Sequence, residues 1–313
     1  MNRRLWGLFA LLLLSCAFYM LWGVRAPWSF VLPFRGAKLG ALILVGCTVS
    51  TASLLFQTIT QNRILTPSIM GFDALYLLLL SGAVFWLGGM TVAGAPPQIV
   101  FLVTASALII ASLLLFGTLM RSVRGDLLRM VLTGIIFGAL FRSLTSFLER
   151  MIDPNEFAVV QAASFARFTQ IETDLLALSA GVSGLALLRC WVIRHRLDVL
   201  ALGRDTAMSL GEPPRRLELE SLILIAILVS VSTALVGPLA FLGLLVLSLA
   251  RLITPSEKHA ILIPSAGLIA AITLVGGQAV MEHVMALSTP LVVVIDLLGG
   301  AVFLALLLKG SGR

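Results

Sequence analysis

The chain is poor in charge. Only 12% of its 313 residues are Asp, Glu, Lys or Arg, about half the share of a domain whose surface faces water. With 59% apolar residues and a mean hydropathy of +1.07, it has more apolar area than one soluble core can hide. Cysteine is nearly absent. Cys16, Cys47 and Cys190 are widely separated in apolar runs and fit neither a disulfide framework nor a zinc motif. Lysine is scarce as well: Lys38, Lys258 and Lys309 follow Ala37, Glu257 and Leu308, so no Gly-Lys pair exists to cradle a phosphate. His195, His259 and His283 are far apart and read as loop residues, without ligand spacing to cysteines or carboxylates. Paired acidic motifs that hold magnesium are missing. These absences argue against an enzyme, a cofactor and a resident metal.

What the chain has instead is long apolar runs, each near the ~20 residues a bilayer requires. They predict helices at about 5–24, 38–57, 67–88, 98–119, 127–147, 173–192, 218–236, 238–252, 260–280 and 289–308. The expected fold is an all-α, polytopic bundle of about ten transmembrane helices, with residues 1–313 as one domain. Pro67, Pro97, Pro238 and Pro290 stand at or beside helix starts, where a missing N–H costs nothing. The eighth run is short and follows the seventh across Gly237 alone, which suggests a broken or re-entrant element. Arg3-Arg4 and Leu13-Leu14-Ser15-Cys16 imitate a lipoprotein signal, but apolar sequence continues through Trp22 and a retained first helix is expected.

The net charge of +7 is a topology signal rather than a nucleic-acid footprint. With ten spans and an inner N-terminus, sixteen of the 22 cations fall on the inner face; the outer six are Arg25, Arg35, Lys38, Arg142, Arg150 and Arg167. The bias places both termini in the cytoplasm. Two loops exceed the length of a connector. The outer, about 148–172, carries Glu149, Asp153, Glu156 and Gln161; the inner, about 193–217, places Leu197 and Leu200 at helical spacing and ends short segments at Gly203 and Gly211. Two short amphipathic helices at the cytoplasmic face are predicted there.

Ionisable groups inside spans are functional candidates, and two carboxylates qualify, Asp73 and Asp296. An ion-coupled carrier would use Asp296 at mid-depth; a hydrogen-bonded structural role is the plain alternative. Gly134 and Gly138 form a small-xxx-small pattern, and Gly299-Gly300 interrupts the last run, both devices for close helix contact.

Four ordered segments are familiar together. Phe56–Gly71, with its core Gln61-Asn62-Arg63-Ile64-Leu65-Thr66-Pro67, resembles the signature after the second helix of FecCD permeases, the membrane subunits of ABC importers for iron–siderophore complexes, haem and cobalamin. The Leu197–Gly211 loop is similar to that family's inner-loop element. Val236-Gly237-Pro238-Leu239-Ala240-Phe241-Leu242-Gly243-Leu244 resembles its Gly-Pro segment, with Arg251 beyond, and Pro290–Leu308 resembles its final helix. Asn62–Gly71 and Met151–Phe157 most resemble the wording of permeases for ferric catecholate-type siderophores. The resemblance implies a cobalamin-permease-like (type II importer) bundle in the bacterial inner membrane. Its implied partners are separate ATP-binding subunits, a second permease subunit and a periplasmic substrate-binding protein. It also implies that 197–211 couples to the ATPase through Leu197, Leu202, Gly203, Ala207, Leu210 and Gly211. Arg35 and Lys38 correspond to cations that pair with the binding protein; Gly134, Gly138, Asp296, Gly299 and Gly300 fall on helices of the pathway or subunit interface. Ferric siderophores are the expected cargo, with haem or cobalamin as alternatives.

Overall fold

A computed structural model describes residues 3–24, 27–122, 127–166, 168, 171–284 and 291–310. Arg25, Arg124, Arg167, Pro290 and Arg313 lie outside the described residues. Fourteen α-helices are described: α1 (Arg3–Leu21), α2 (Trp28–Thr60), α3 (Phe72–Leu87), α4 (Gly89–Gly94), α5 (Pro97–Ser122), α6 (Leu127–Met151), α7 (Pro154–Ala163), α8 (Thr173–Val192), α9 (Arg194–Leu200), α10 (Arg204–Ser209), α11 (Pro214–Val236), α12 (Leu242–Ile253), α13 (His259–Ala279) and α14 (Leu291–Gly310). A π-helical turn, Val280–Val284, continues α13. Seven of these helices contain a stretch long and apolar enough to cross a bilayer, and α3, α12 and the Leu291–Val302 part of α14 are shorter apolar helices. These ten correspond to the ten predicted spans.

Several ends differ from expectation. α2 starts ten residues early and runs for 33 residues through Pro33, which costs one ladder hydrogen bond near the helix start. Arg35 therefore lies within α2, not before it. α3 begins at Phe72 rather than Pro67 because Gly71 takes φ 98°, a left-handed conformation that ends the preceding turns. Its tight seat also requires glycine: a Cβ there would lie 3.0 Å from the Gly138 backbone. The three histidines are not in loops: His195 belongs to α9, His259 opens α13 and His283 lies in the π turn.

α2, α11 and α13 form the buried centre; α1, α6 and α8 present most of their surface outward. Leu42, Val45, Leu242, Val246, Leu262 and Leu274 pack in one core cluster, and Leu55, Phe56, Phe116, Ile225 and Leu228 in a second. The exposed surface is apolar too, with Leu14, Trp86, Leu185 and Leu252 all more than 60% exposed, as lipid contact demands. α9 and α10 cover one end of the bundle. α4 and α7 pack together at the other.

α12 is the broken element anticipated in the eighth run. It is 12 residues long, follows an irregular segment 237–241, and starts where Asp296 of α14 accepts a 3.2 Å hydrogen bond from the Phe241 N–H. A carboxylate at a helix start satisfies an orphan donor and complements the dipole. Asp296, expected on a pathway or as an ion-coupling group, thus has a structural task.

Candidate functional site

The α9–α10 hairpin combines a rigid attachment with an apolar exposed surface. α9 reaches only from Arg194 to Leu200, and α10 from Arg204 to Ser209. Gly203, between them, has φ 106°, a value that L residues with side chains rarely adopt. The hairpin's inner face is anchored by Leu197 and Ala207, both 0% exposed. Its outer surface shows Leu202, Met208 and Leu210 at 63%, 55% and 62% exposure. The six residues expected to touch an ATPase therefore divide. Leu197 and Ala207 are buried against their own chain and are not available for contact. Leu202 and Leu210 are exposed knobs, and Gly203 and Gly211 are the positive-φ turns that set their directions. Met208 joins the exposed set and was missed by sequence reasoning; its place one helical turn from the turn at Gly211 was the available signal.

Charge fastens the hairpin to the transmembrane helices. Arg196 of α9 donates to Glu212 through Nε and Nη2 at 2.8 and 2.6 Å and stands 3.6 Å from Glu220 of α11. Glu212 pushes the Arg196 guanidinium pKa further upward, chiefly by that hydrogen bonding. Arg189 of α8 donates to the same Glu220 at 2.5 Å, and Arg204 of α10 pairs with Glu218 at 3.3 Å. Each exposed pair is worth little alone. Several sharing partners across four elements fix an orientation.

A second linkage was invisible in the sequence. Asp198 Oδ1, on α9, accepts from the His259 backbone N–H at 2.7 Å and faces its Nδ1 at 2.7 Å. His259 Nε2 is 2.8 Å from the Thr58 hydroxyl of α2, which is also 2.9 Å from the Leu54 carbonyl. His259 and Thr58 are buried. One carboxylate therefore caps α13 and, through an imidazole, ties α9 to α2. Gln61, in a left-handed conformation at the end of α2, donates to the Leu200 carbonyl at 3.4 Å. The hairpin is joined to two of the most buried helices by directional bonds.

At the opposite end, the two expected docking cations are used inside the chain. Arg35 Nη1 donates to the carbonyls of Tyr19, Met20 and Trp22 at 3.0, 3.1 and 2.9 Å, closing the C-terminal end of α1 where carbonyls lack partners. Its guanidinium also lies 5.9 Å from the Tyr19 ring centroid, and that ring stacks on His283. Lys38 is 4% exposed and pairs with Glu282 of the π turn, to which Gln278 also donates at 2.7 Å. The assignment of Lys38 as a free docking cation is therefore corrected: it is buried and neutralised by its own chain. Arg35 is half-buried and held by three acceptors.

The glycines divide likewise. A methyl at Gly134 would overlap Met70, a Cβ at Gly138 would lie 3.4 Å from Gly71, and one at Gly299 would run into Phe241. These three serve close packing within the chain. Gly300 has open space on that side.

With this geometry in hand, relatives can be compared. The profile of the FecCD transport family matches residues 9–309, and the chain belongs to that family of membrane transport proteins. The petrobactin import system permease protein YclO of Bacillus subtilis (strain 168) is 44% identical over 282 residues, covering 90% of each chain. The hemin transport system permease protein HmuU of Yersinia pestis is 27% identical over 305 residues, covering 95% of this chain and 89% of its own. A metal-chelate type ABC transporter solved in an inward-facing conformation superposes with TM-score 0.80 at 21% identity, covering 98% and 99% of the two chains. That likeness supports the fold. The chain is thus a multi-pass membrane permease subunit.

Proposed function

We propose that this chain is the permease subunit of an ABC importer that moves ferric siderophore complexes into the cytoplasm, driven by ATP hydrolysis on separate subunits. The carrying observation is the α9–α10 hairpin. Exposed Leu202, Met208 and Leu210 form an apolar knob on a unit locked to α2, α11 and α13 by hydrogen bonds and ion pairs. A knob of this kind passes on a rigid-body push from a docked ATPase; a floppy loop would absorb it. In this reading the hairpin end and both termini are cytoplasmic, as the cation bias predicts, and the domain is one functional unit. A substrate-binding protein delivers cargo at the α4–α7 end, and a second permease subunit completes the passage. The siderophore assignment draws on the 44% identity to a petrobactin permease, against 27% to a hemin permease. An ion-coupled carrier would want Asp296 free, whereas its carboxylate is engaged by Phe241.

The test is uptake of a radiolabelled ferric catecholate siderophore by proteoliposomes holding the whole importer. Uptake should require ATP, stop with vanadate and ignore a protonophore. Uptake that persists without ATP, or collapses with the protonophore alone, would overturn the proposal.

A further inference from the structure

Asp73 is the second carboxylate inside a span, and neither the hairpin nor the helix-end closures use it. It stands in the first turn of α3, against a small cavity in the interior of the bundle. Three helices and the break before α12 meet there. Ser53 comes from α2, Ser68 from the turns before α3, Ser232 and Thr233 from α11, and Gly237 from the break. The free space for the centre of a water-sized particle is ≈ 10 Å³, enough for about one.

Charge in the cavity is unbalanced. Among the described residues no lysine, arginine or histidine forms an ion pair with Asp73. A carboxylate out of water with no positive partner is strongly disfavoured. Asp296 lies within electrostatic reach and adds to the negative charge. The hydroxyls are unbalanced too. Ser68 donates to Asp73, and Ser232 donates to the Val229 carbonyl at 3.0 Å. Among the described residues the Ser53 and Thr233 hydroxyls have no hydrogen-bond partner, although these residues are only 3% and 4% exposed. Buried hydroxyls are as a rule bonded, and two open ones lining a cavity with an unpaired carboxylate point to a ligand. An acid in the first turn suits the α3 dipole, but that role explains neither the cavity nor the open hydroxyls.

The donor set defines the ligand. Carboxylate and hydroxyl oxygens are hard ligands, and a single carboxylate balances one positive charge. A hydroxyl that donates elsewhere still offers oxygen lone pairs to an ion. The cavity also lies at the C-terminal end of α11, which closes at Val236, and that pole of a helix dipole favours a cation. We infer that Asp73, Ser53, Ser68, Ser232 and Thr233 hold a dehydrated sodium ion, which ties α2, α3 and α11 together beside the break before α12. Sodium fits better than potassium because a few short-stemmed oxygens surround a small space. Histidine, cysteine and paired acids, whose scarcity argued against a resident metal, are not needed by an alkali ion. An ion fixed among three helices stabilises the bundle and leaves ATP as the driving force of import.

The full chain in detergent tests this. Melting is compared in sodium, potassium and N-methylglucamine chlorides at equal ionic strength, and binding is read directly with radioactive sodium. The parent should bind sodium saturably and melt several degrees higher in sodium than in the other two salts. D73N should lose both responses. T233V keeps the shape and removes one oxygen, so it should melt like the parent without sodium but bind the ion about tenfold more weakly. Equal melting in all three salts with no bound sodium overturns the inference and makes Asp73 a protonated acid beside a water. A sodium response that survives in D73N overturns it as well, as does stabilisation by calcium alone; equal stabilisation by potassium overturns the choice of sodium. If D73N does not fold, T233V decides: parental sodium affinity there removes Thr233 from the ion and overturns the site as drawn.

Discussion

The two ends of the bundle use charge in opposite ways. At the α9–α10 end, ion pairs hold short helices onto the span ends and leave apolar Leu202, Met208 and Leu210 outermost. At the α4–α7 end, Arg35 and Lys38 are turned inward, onto the carbonyls that end α1 and onto Glu282. The first arrangement spends charge on rigidity so that apolar surface can meet a partner. The second spends it on closing a helix end and neutralising a carboxylate within the chain. A cation's place at a predicted membrane boundary therefore says little about its job until its acceptors are known.

The sharpest way to break this contrast is to charge the apolar knob. Leu202→Asp together with Leu210→Asp should leave the bundle folded, because both side chains point outward. Losing two apolar anchors at a protein interface costs roughly 2 kcal/mol each, so ATP-driven uptake should fall by at least ~100-fold. Substrate uptake close to parental levels would remove the hairpin from the coupling role. Next in size is Asp198→Ala, which strips a cap from α13 and a partner from His259. Unsatisfied buried donors cost about 1–3 kcal/mol. Thermal stability in detergent should drop by several degrees, and the ATP consumed per chelate imported should rise. A stable protein with unaltered stoichiometry would show that the α9–α13 linkage transmits nothing.

How much of this was legible in sequence follows from the range of the forces involved. The ten spans and the broken eighth element were readable because a bilayer imposes a contiguous local signal of length and hydropathy. The hairpin was legible for the same reason, from Leu197 and Leu200 at helical spacing and the stops at Gly203 and Gly211. What failed was everything set by partners distant in sequence. Lys38 and Glu282 are 244 positions apart, and Thr58 and His259 are 201 apart. No local pattern announces such pairs. Arg142 was counted with the outer-face cations although it fell inside the predicted helix 127–147, and α6 continues beyond that end to Met151. Gly134 and Gly138 were rightly singled out for close approach, yet the close neighbours prove to be Met70 and Gly71 of the same chain.

The α4–α7 end offers the smaller tests. Lys38→Met leaves Glu282 without its cation in a half-buried site, and the cost should be roughly 2 kcal/mol, below the range for fully buried pairs because Glu282 retains some water. Adding Glu282→Met should recover part of that stability, and binding-protein affinity should stay within threefold of the parent in both variants. If docking weakens tenfold while stability is unchanged, the pair belongs to the partner surface after all.

Arg35→Gln is the finest probe of the comparison. It removes a guanidinium from three carbonyls at the end of α1 but leaves an amide long enough to donate to one of them. The charge itself favours a helix C-terminus by about 0.3–1 kcal/mol, so a melting shift of only a degree or two is expected. The discriminating readout is the salt dependence of binding-protein docking, because exposed charges steer a partner only when unscreened. If Arg35 is spent on α1, the parent and Arg35→Gln will show parallel salt curves. A shallower curve in the variant would mean that the same guanidinium both closes α1 and meets an acidic partner, and the inward use of charge at this end would then be complete for Lys38 but not for Arg35.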